Sequence, residues 1–341
     1  MRPPQFWTAP EHLASFLLWP ASLAYGAAAA LRLAAGRPAR AAVPVICVGN
    51  LVAGGQGKTP AALALLPLLQ GLGLKPAFLS RGYGGRIRGP VRVAARHSAR
   101  DVGDEPLLLA RAAPTVVSAD RAAGAALAVT EGADAIVMDD GFQNPSLAKD
   151  LSLLVADAAF GVGNGLMLPA GPLRAPLGLQ LDRADALILI GDGSAGERLA
   201  ELMRRRDKPV FRALFRIAPH APALEGRRLI PFAGIGRPEK FFDTVERAKA
   251  RVVMRIPLPD HHAYSSREAA ALLDLARRHK ADLITTEKDW VRLDAADHAL
   301  RALKDAALTL PVSLVLAEPS RLTALVEARI SRYRLSRDRA A

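Results

Sequence analysis

Val45-Ile46-Cys47-Val48-Gly49-Asn50-Leu51-Val52-Ala53-Gly54-Gly55-Gln56-Gly57-Lys58-Thr59-Pro60 is the stretch on which the reading of this chain turns. Its β-branched opening (Val45, Ile46, Val48) reads as a buried parallel strand ending at Gly49. A glycine-dense loop follows, and Lys58 and Thr59 open a helix whose first turn tolerates Pro60, where a missing N–H costs nothing. Strand, glycine loop and helix start form a phosphate cradle. The glycines let the N–H groups of Val52 to Thr59 (Val52, Ala53, Gly54, Gly55, Gln56, Gly57, Lys58, Thr59) turn onto anionic oxygens, Lys58 adds a point charge, and the Thr59 hydroxyl can ligate Mg²⁺. The usual spacing G-x-x-x-x-G-K-[ST] asks for glycine at Val52, so this is a variant loop.

Working outward, strand and helix patterns alternate from residue 41, as in a parallel α/β sheet. Ala135–Asp140 is an apolar strand closing on two carboxylates, the usual partner of a phosphate loop; Asp139 and Asp140 are the expected metal ligands. Gly141-Phe142-Gln143 continues that turn and leaves Gln143 free to face the site. Lys75–Ser80 is a strand running into S-R-G-Y-G-G, so Arg81 and Tyr83 lie beyond a strand's carboxyl end, where ligands bind in open α/β sheets. Asp104, in V-G-D-E-P, falls at a helix start and reads equally as a cap or as a catalytic base. Arg121 opens another helix. The long Gly/Pro-rich loop 161–178 carries L-P-A-G-P-L-R, in which Arg174 can clamp a phosphate.

With 341 residues the chain has room for two domains, and its net charge of +13, mostly arginine, favours an anionic partner. Few aromatics interleave with the basic residues, which ranks nucleic acid below a membrane face or a phosphorylated substrate. The single cysteine, Cys47, reads as a core residue and excludes an intrachain disulfide. Residues 13–31 are uncharged and Arg32, Arg37 and Arg40 follow. A secretory signal would send an ATP-type loop away from ATP, and Pro20 and Gly26 weaken a spanning helix. The expectation is a helix lying in the membrane surface, with Leu13, Phe16, Leu17 and Leu23 at helical spacing and trailing arginines for anionic headgroups.

Pro209–Arg216 and the segment to Pro222 read as a connection to a second unit, in which the alternation restarts. There, Leu229–Ala233 runs into G-I-G-R-P. Asp260-His261-His262 is the only histidine pair, read as strand neighbours facing opposite sides; one histidine oriented by a carboxylate suits proton handling. Leu283–Thr286 ends in Glu287-Lys288-Asp289. The tail from Pro319 reads as a solvated, arginine-rich helix.

The ordered set G-N-L-V-A-G-G-Q-G-K-T-P, S-R-G-Y-G, V-G-D-E-P, D-D-G-F-Q, L-P-A-G-P-L-R, G-I-G-R-P, P-D-H-H-x-Y and T-T-E-K-D resembles the tetraacyldisaccharide 4′-kinase family of lipid A synthesis, over about residues 10–295. That family's loop has the same variant form. The resemblance implies two α/β/α domains with mostly parallel sheets: a P-loop NTPase-like domain at 41–216 and a smaller α/β domain at 217–341, after a membrane-surface helix within 1–40. It implies transfer of the ATP γ-phosphoryl group, with Mg²⁺, to the 4′-hydroxyl of an acylated disaccharide 1-phosphate at the cytoplasmic face of the bacterial inner membrane, with no nucleic acid and no obligate protein partner. Asp104 would be the base, oriented by His261. Lys58, Thr59, Asp139 and Asp140 would handle triphosphate and metal, and Arg81, Tyr83, Arg121, Gln143 and Arg174 would face substrate or phosphate. The family's Glu after P-L-R is Ala175 here. Two alternatives belong to other classes: a membrane-cycling ATPase switch, in which the variant loop also occurs, and an ATP-dependent ligase that phosphorylates a carboxylate intermediate.

Overall fold

The structure, a computed structural model, describes residues 4–8 and 12–338; residues 1–3 and 9–11 of the expected N-terminal segment lie outside them. The strands are β1 (Val45–Gly49), β2 (Pro76–Ser80), β3 (Val91–Arg92), β4 (Thr115–Val117), β5 (Ala135–Asp139), β6 (Leu151–Asp157), β7 (Ala186–Ile190), β8 (Val210–Ile217), β9 (Arg228–Ala233), β10 (Arg251–Val252), β11 (Ile256–Pro257), β12 (Asp282–Thr286), β13 (Leu308–Leu310) and β14 (Val312–Leu316). Nine form one sheet in the order β14-β8-β7-β6-β1-β5-β2-β4-β3. Its interior pairs are parallel, and only the outermost strands, β3 and β14, run against their neighbours.

Each central strand is covered on both faces, so its side chains divide by parity. On β1, Val45 and Cys47 enter one core with Met138 and Leu154, while Ile46 and Val48 enter the other with Val137 and Leu65. From β1 the chain moves toward β2, and from β5 it crosses to β6 on the other side. That reversal opens a crevice at the carboxyl ends of β1 and β5.

The second sheet holds β10-β9-β12-β13, with β11 also on β9, all parallel. The helices Pro238–Arg247 and Ser266–His279 contribute to cores on its two faces.

Three expectations are corrected. The stretch read as an interdomain connection, Pro209–Arg216, is largely β8, a strand of the first sheet. The second unit does not keep the whole of 217–341, because β14 pairs with β8 and the helix Pro319–Asp338 returns to the first sheet. That helix is not merely solvated: Leu322, Val326, Ile330 and Tyr333 fall on one side and are buried, and the first three enter the core of the first sheet. Its arginines occupy the remaining faces.

The helix Leu13–Ala34 turns small and polar residues inward. Ser22 donates to the Met167 carbonyl at 2.6 Å, and Gly26 lies so near Met167 that a Cβ would meet Sδ at 2.2 Å. Leu13, Phe16, Leu17, Trp19, Leu23 and Leu31 are exposed. By length and composition this helix could also cross a membrane.

Candidate active site

The helix Lys58–Gly71 starts from Gly57, whose φ of 85° is left-handed, so the chain turns sharply between the loop and the first helical N–H groups. Loop 50–54 is held from outside by the L-P-A-G-P-L-R segment. Ala53 N–H, expected to face phosphate, is corrected: it donates to Pro172 O at 2.8 Å, while Val52 bridges Leu173 and Arg174 N–H donates to Leu51 O at 3.0 Å. The Gln56 side-chain Oε1 accepts from Asp157 N–H at 2.8 Å, tying the loop to β6. At Gly54 and Gly55 an added Cβ would meet nothing within 4 Å, so the mouth of the loop is open.

Parallel pairing of β1 with β5 brings Asp139 to the level of Val48. Thr59 Oγ1 donates to Asp139 Oδ2 at 2.8 Å. Asp139 is 1% exposed and its Oδ1 has no hydrogen-bond partner. Burial, with the charge of Glu105 nearby, pushes its carboxyl up to about 7. Asp140 sits at φ 54°, a left-handed backbone that aspartate tolerates better than most residues, and this turns it away from the strand toward cations. Lys58 Nζ lies 3.6 Å from its Oδ2, and Arg174 Nη1 donates to its Oδ1 at 2.8 Å. Burial raises the Asp140 carboxyl, but those two cations outweigh it and hold it below the ordinary carboxylate range.

Asp104 opens the helix Asp104–Ala110 but does not cap it; Gly103 is the cap, and Asp104 is 5% exposed. The second unit reaches across to it. His261 Nδ1 lies 3.0 Å and Arg292 Nε 2.6 Å from Asp104 Oδ2, and Lys288 Nζ bonds Glu105 at 3.0 Å. His261 and His262 occupy a turn, not a strand, and His261 adopts φ 57°. They still face apart: His262 Nε2 lies 3.0 Å from Glu268.

Of the expected substrate-facing residues, Arg81 and Tyr83 are exposed, and Tyr83 stands edge-on to the His261 ring with centroids 5.7 Å apart. Two are corrected. Gln143 is not free to face the site, since its amide donates to Asn50 O at 2.7 Å and to Gln180 Oε1 at 2.9 Å, bracing the strand-to-loop bend. Arg121 does not project into an open cleft: it is 1% exposed and donates to Ser118 O. Burial and then the Arg81 charge lower its pKa, opposed by Asp140 and Asp139, so it acts as a buried countercharge beneath the carboxylates. Ala175, at the family's Glu position, is fully buried against Ala29 and Leu33 of the N-terminal helix. Arg292 was not singled out from sequence, and Lys288 was named only within the charged run Glu287-Lys288-Asp289, with no role given; the only signal was the charge density of T-T-E-K-D-W-V-R.

Comparison with known proteins agrees with this arrangement. A family model described as Tetraacyldisaccharide-1-P 4′-kinase matches residues 14–331. A tetraacyldisaccharide 4′-kinase of Methylobacterium radiotolerans is 58% identical over 299 residues, covering 87% of this chain and 90% of its own. One of Methylobacterium nodulans is 54% identical over 336 residues, 97% and 96% of the two chains. The crystal structure of the "apo" form of LpxK from Aquifex aeolicus in complex with ATP superposes with a TM-score of 0.75 at 27% identity, over 93% of this chain and all of that one. By its sequence match, end to end, and by the fold that carries its phosphate loop, the chain belongs to the tetraacyldisaccharide-1-P 4′-kinase family.

Proposed function

We propose that this protein transfers the γ-phosphoryl group of ATP to the 4′-hydroxyl of a tetraacyldisaccharide 1-phosphate, working from the cytoplasmic face of the inner membrane. The observation that carries the reading is the meeting of the two sheets. Asp104, whose neighbour Glu105 is near enough for its charge to act on Asp139, touches His261 of the second unit. A nucleotide switch needs the loop but has no use for a carboxylate–histidine pair beside it.

Phosphoryl transfer asks for positioning and charge neutralisation more than covalent chemistry. The N–H groups of Gly54 to Thr59 and the start of the Lys58–Gly71 helix would hold the phosphates. Lys58 and Arg174 would exchange part of their attraction to Asp140 for the more highly charged triphosphate. Asp104 and His261 would handle the proton of the attacking hydroxyl. Arg81 and Tyr83 line the exposed approach, where the disaccharide would lie.

The donor set fits Mg²⁺. Among the described residues no cluster of three or more Asp, Glu, His or Cys forms a cage, and Mg²⁺ takes one or two carboxylates and completes its shell with water and phosphate. The unpartnered Oδ1 of buried Asp139, with Thr59 Oγ1 on its other oxygen, is an acceptor left free for a hard cation. Asp139, Thr59 and Asp140 would hold the ion, and when bound it neutralises charge developing on the transferred group and ADP.

The exposed apolar face of Leu13–Ala34 supports membrane seating, which would bring an acylated substrate to the cleft. Incubation with ATP, Mg²⁺ and tetraacyldisaccharide 1-phosphate should yield a lipid one phosphate heavier, with the new ester at the 4′ position. ATP turnover with no phosphorylated lipid would defeat the reading.

A further inference from the structure

The inward side of the helix Leu13–Ala34 is set against one segment of chain, 164–179. Ser15 Oγ lies 3.3 Å from Asn164 Nδ2, Ser22 Oγ donates to Met167 O at 2.6 Å, and Ala29 and Leu33 pack with Ala175 and Leu179. Gly26 fits against Met167 only because it has no Cβ. This is the segment that carries L-P-A-G-P-L-R.

Asn164 is the knot of the contact. Its N–H donates to Trp7 O at 2.6 Å, and its side-chain amide donates to Phe6 O at 3.1 Å and to Ala170 O at 2.9 Å. Its Oδ1 accepts from Leu166 N–H at 3.1 Å, and a Cβ on Gly171 would meet that oxygen at 2.1 Å. Trp7 Nε1 adds a bond to Pro169 O at 3.1 Å. One half-buried amide, with donors and an acceptor in a single plane, thus ties the N-terminal residues to both sides of the turn 166–171.

The turn passes that contact on. Leu168 N–H donates to Leu173 O and Leu173 N–H to Leu166 O, each at 3.0 Å, and Gly171 N–H donates to Met167 O at 2.8 Å. Pro169 and Pro172 fix their own φ. The far side of the turn grips the phosphate loop at Leu51, Val52 and Ala53, and Arg174 reaches Asp140 at 2.8 Å. The lipid-facing helix and the cation beside Asp140 are therefore two ends of one braced loop.

We propose that Asn164 is a positioning residue for the nucleotide site, and that a lipid surface beneath the N-terminal helix tightens ATP binding by fixing, through Asn164 and Met167, the loop that bears Arg174. This rests on the nucleotide and membrane readings above and deepens them. In water the helix is weakly seated: apart from Leu33 its buried residues are small or polar, while its large side chains face solvent. Segments that bury so little apolar area open locally at low free energy. A lipid surface holds the helix ordered by its outer face, so ordering no longer opposes docking and the docked population rises. The loop then presents Arg174 and braces Leu51 to Ala53 before nucleotide arrives. Linkage makes the effect mutual, so bound nucleotide tightens vesicle binding by the same factor.

The test is titration of the full chain with a non-hydrolysable ATP analogue and Mg²⁺, with and without phosphatidylglycerol–phosphatidylethanolamine vesicles free of acceptor lipid. Pelleting of the same samples reads vesicle binding. Vesicles should lower the Kd of wild type for the analogue about fivefold or more, and saturating analogue should tighten pelleting equally. Asn164→Ala leaves the outer face intact, so it should still pellet, yet vesicles should move its Kd less than twofold. Ser22→Ala, which removes one bond of the same contact, should lose part of the response. Phe16→Glu with Leu23→Glu should neither pellet nor respond. A wild type that pellets with its Kd unchanged, or a full response in Asn164→Ala, would overturn the proposal. Should Asn164→Ala fail to fold by circular dichroism, a full response in Ser22→Ala would overturn it as well. Wild type that does not pellet would instead remove the membrane reading, and wild type that does not bind the analogue the kinase reading, each taking the proposal with it.

Discussion

Lys58 and Arg174 converge on Asp140 from two sides of the loop, at 3.6 and 2.8 Å, and a triphosphate offers each of them more charge than one carboxylate does. Removing Lys58 should therefore be felt as charge develops on the transferred group. Lys58→Ala is expected to lower kcat by roughly 10²–10³-fold, the usual range for deleting a transition-state charge contact. Steady-state rates equal to wild type would contradict the cradle. Residues of this kind were legible from their place beyond short apolar runs: Asp139 and Asp140 close β5, Thr59 opens the helix after the glycine loop that follows β1, and His261 lies in a turn after β11. Gln143 and Arg121 looked the same from sequence and proved otherwise. A polar residue at a strand end serves a ligand or braces its neighbours, and only the position of Asn50 O or Ser118 O decides which. Arg292 escaped notice because it lies beyond the strand end, past a four-residue helix, where a charged residue ordinarily meets solvent.

At the scale of elements, the N-terminal helix combines an inward face of Ser15, Ser22, Gly26, Ala29 and Leu33 with an outward face of large apolar side chains. That is the reverse of a helix seated on a soluble core, and it supports the proposed seating of the apolar side on a lipid surface. Phe16→Glu with Leu23→Glu should abolish co-sedimentation with anionic vesicles while changing unfolding stability by no more than about 0.5 kcal/mol per site, since both positions are exposed. Undiminished pelleting would contradict the assignment. The parallel strands were legible from their apolar runs, and so was this helix. β8 was not, because Pro209, Pro219 and Pro222 flank it and, with its own Arg212 and Arg216, imitate a linker. Nor was the buried side of Pro319–Asp338, where Leu322, Val326 and Ile330 sit four residues apart among arginines; the stripe means burial only once β14 has carried the helix onto the first sheet.

Across the whole molecule, cations of the second unit reach carboxylates of the first, Glu105 taking Lys288 and two others taking a pair each. Asp104 receives His261 and Arg292, and Asp157, at the end of β6, receives Arg237 at 2.9 Å and Lys240 at 2.6 Å. Burial raises both carboxyls, and in both the partners outweigh it and hold them below the ordinary value. A depressed carboxylate contributes stability above the unfolded-state pKa, near ~4, and loses it as pH falls from there through its folded-state value. Acid should therefore part the units before it melts the sheets. Below about pH 4 the radius of gyration by X-ray scattering should rise while far-UV circular dichroism persists, and Asp157→Asn should move the expansion to higher pH. Coincident transitions, or no effect of Asp157→Asn, would contradict the picture of two ionic clamps.

The joining of the units over the phosphate loop also yields the most direct measurement. Full-length wild type, Lys58→Ala and Asp104→Asn are given ATP labelled in its γ-phosphate, Mg²⁺ and tetraacyldisaccharide 1-phosphate, and the label is followed into the lipid phase. The account predicts label at the 4′ position with wild type, and near-background lipid label with both variants, although Asp104→Asn still binds ATP. Label released by wild type only as inorganic phosphate, or transferred to lipid equally well by all three proteins, would contradict it.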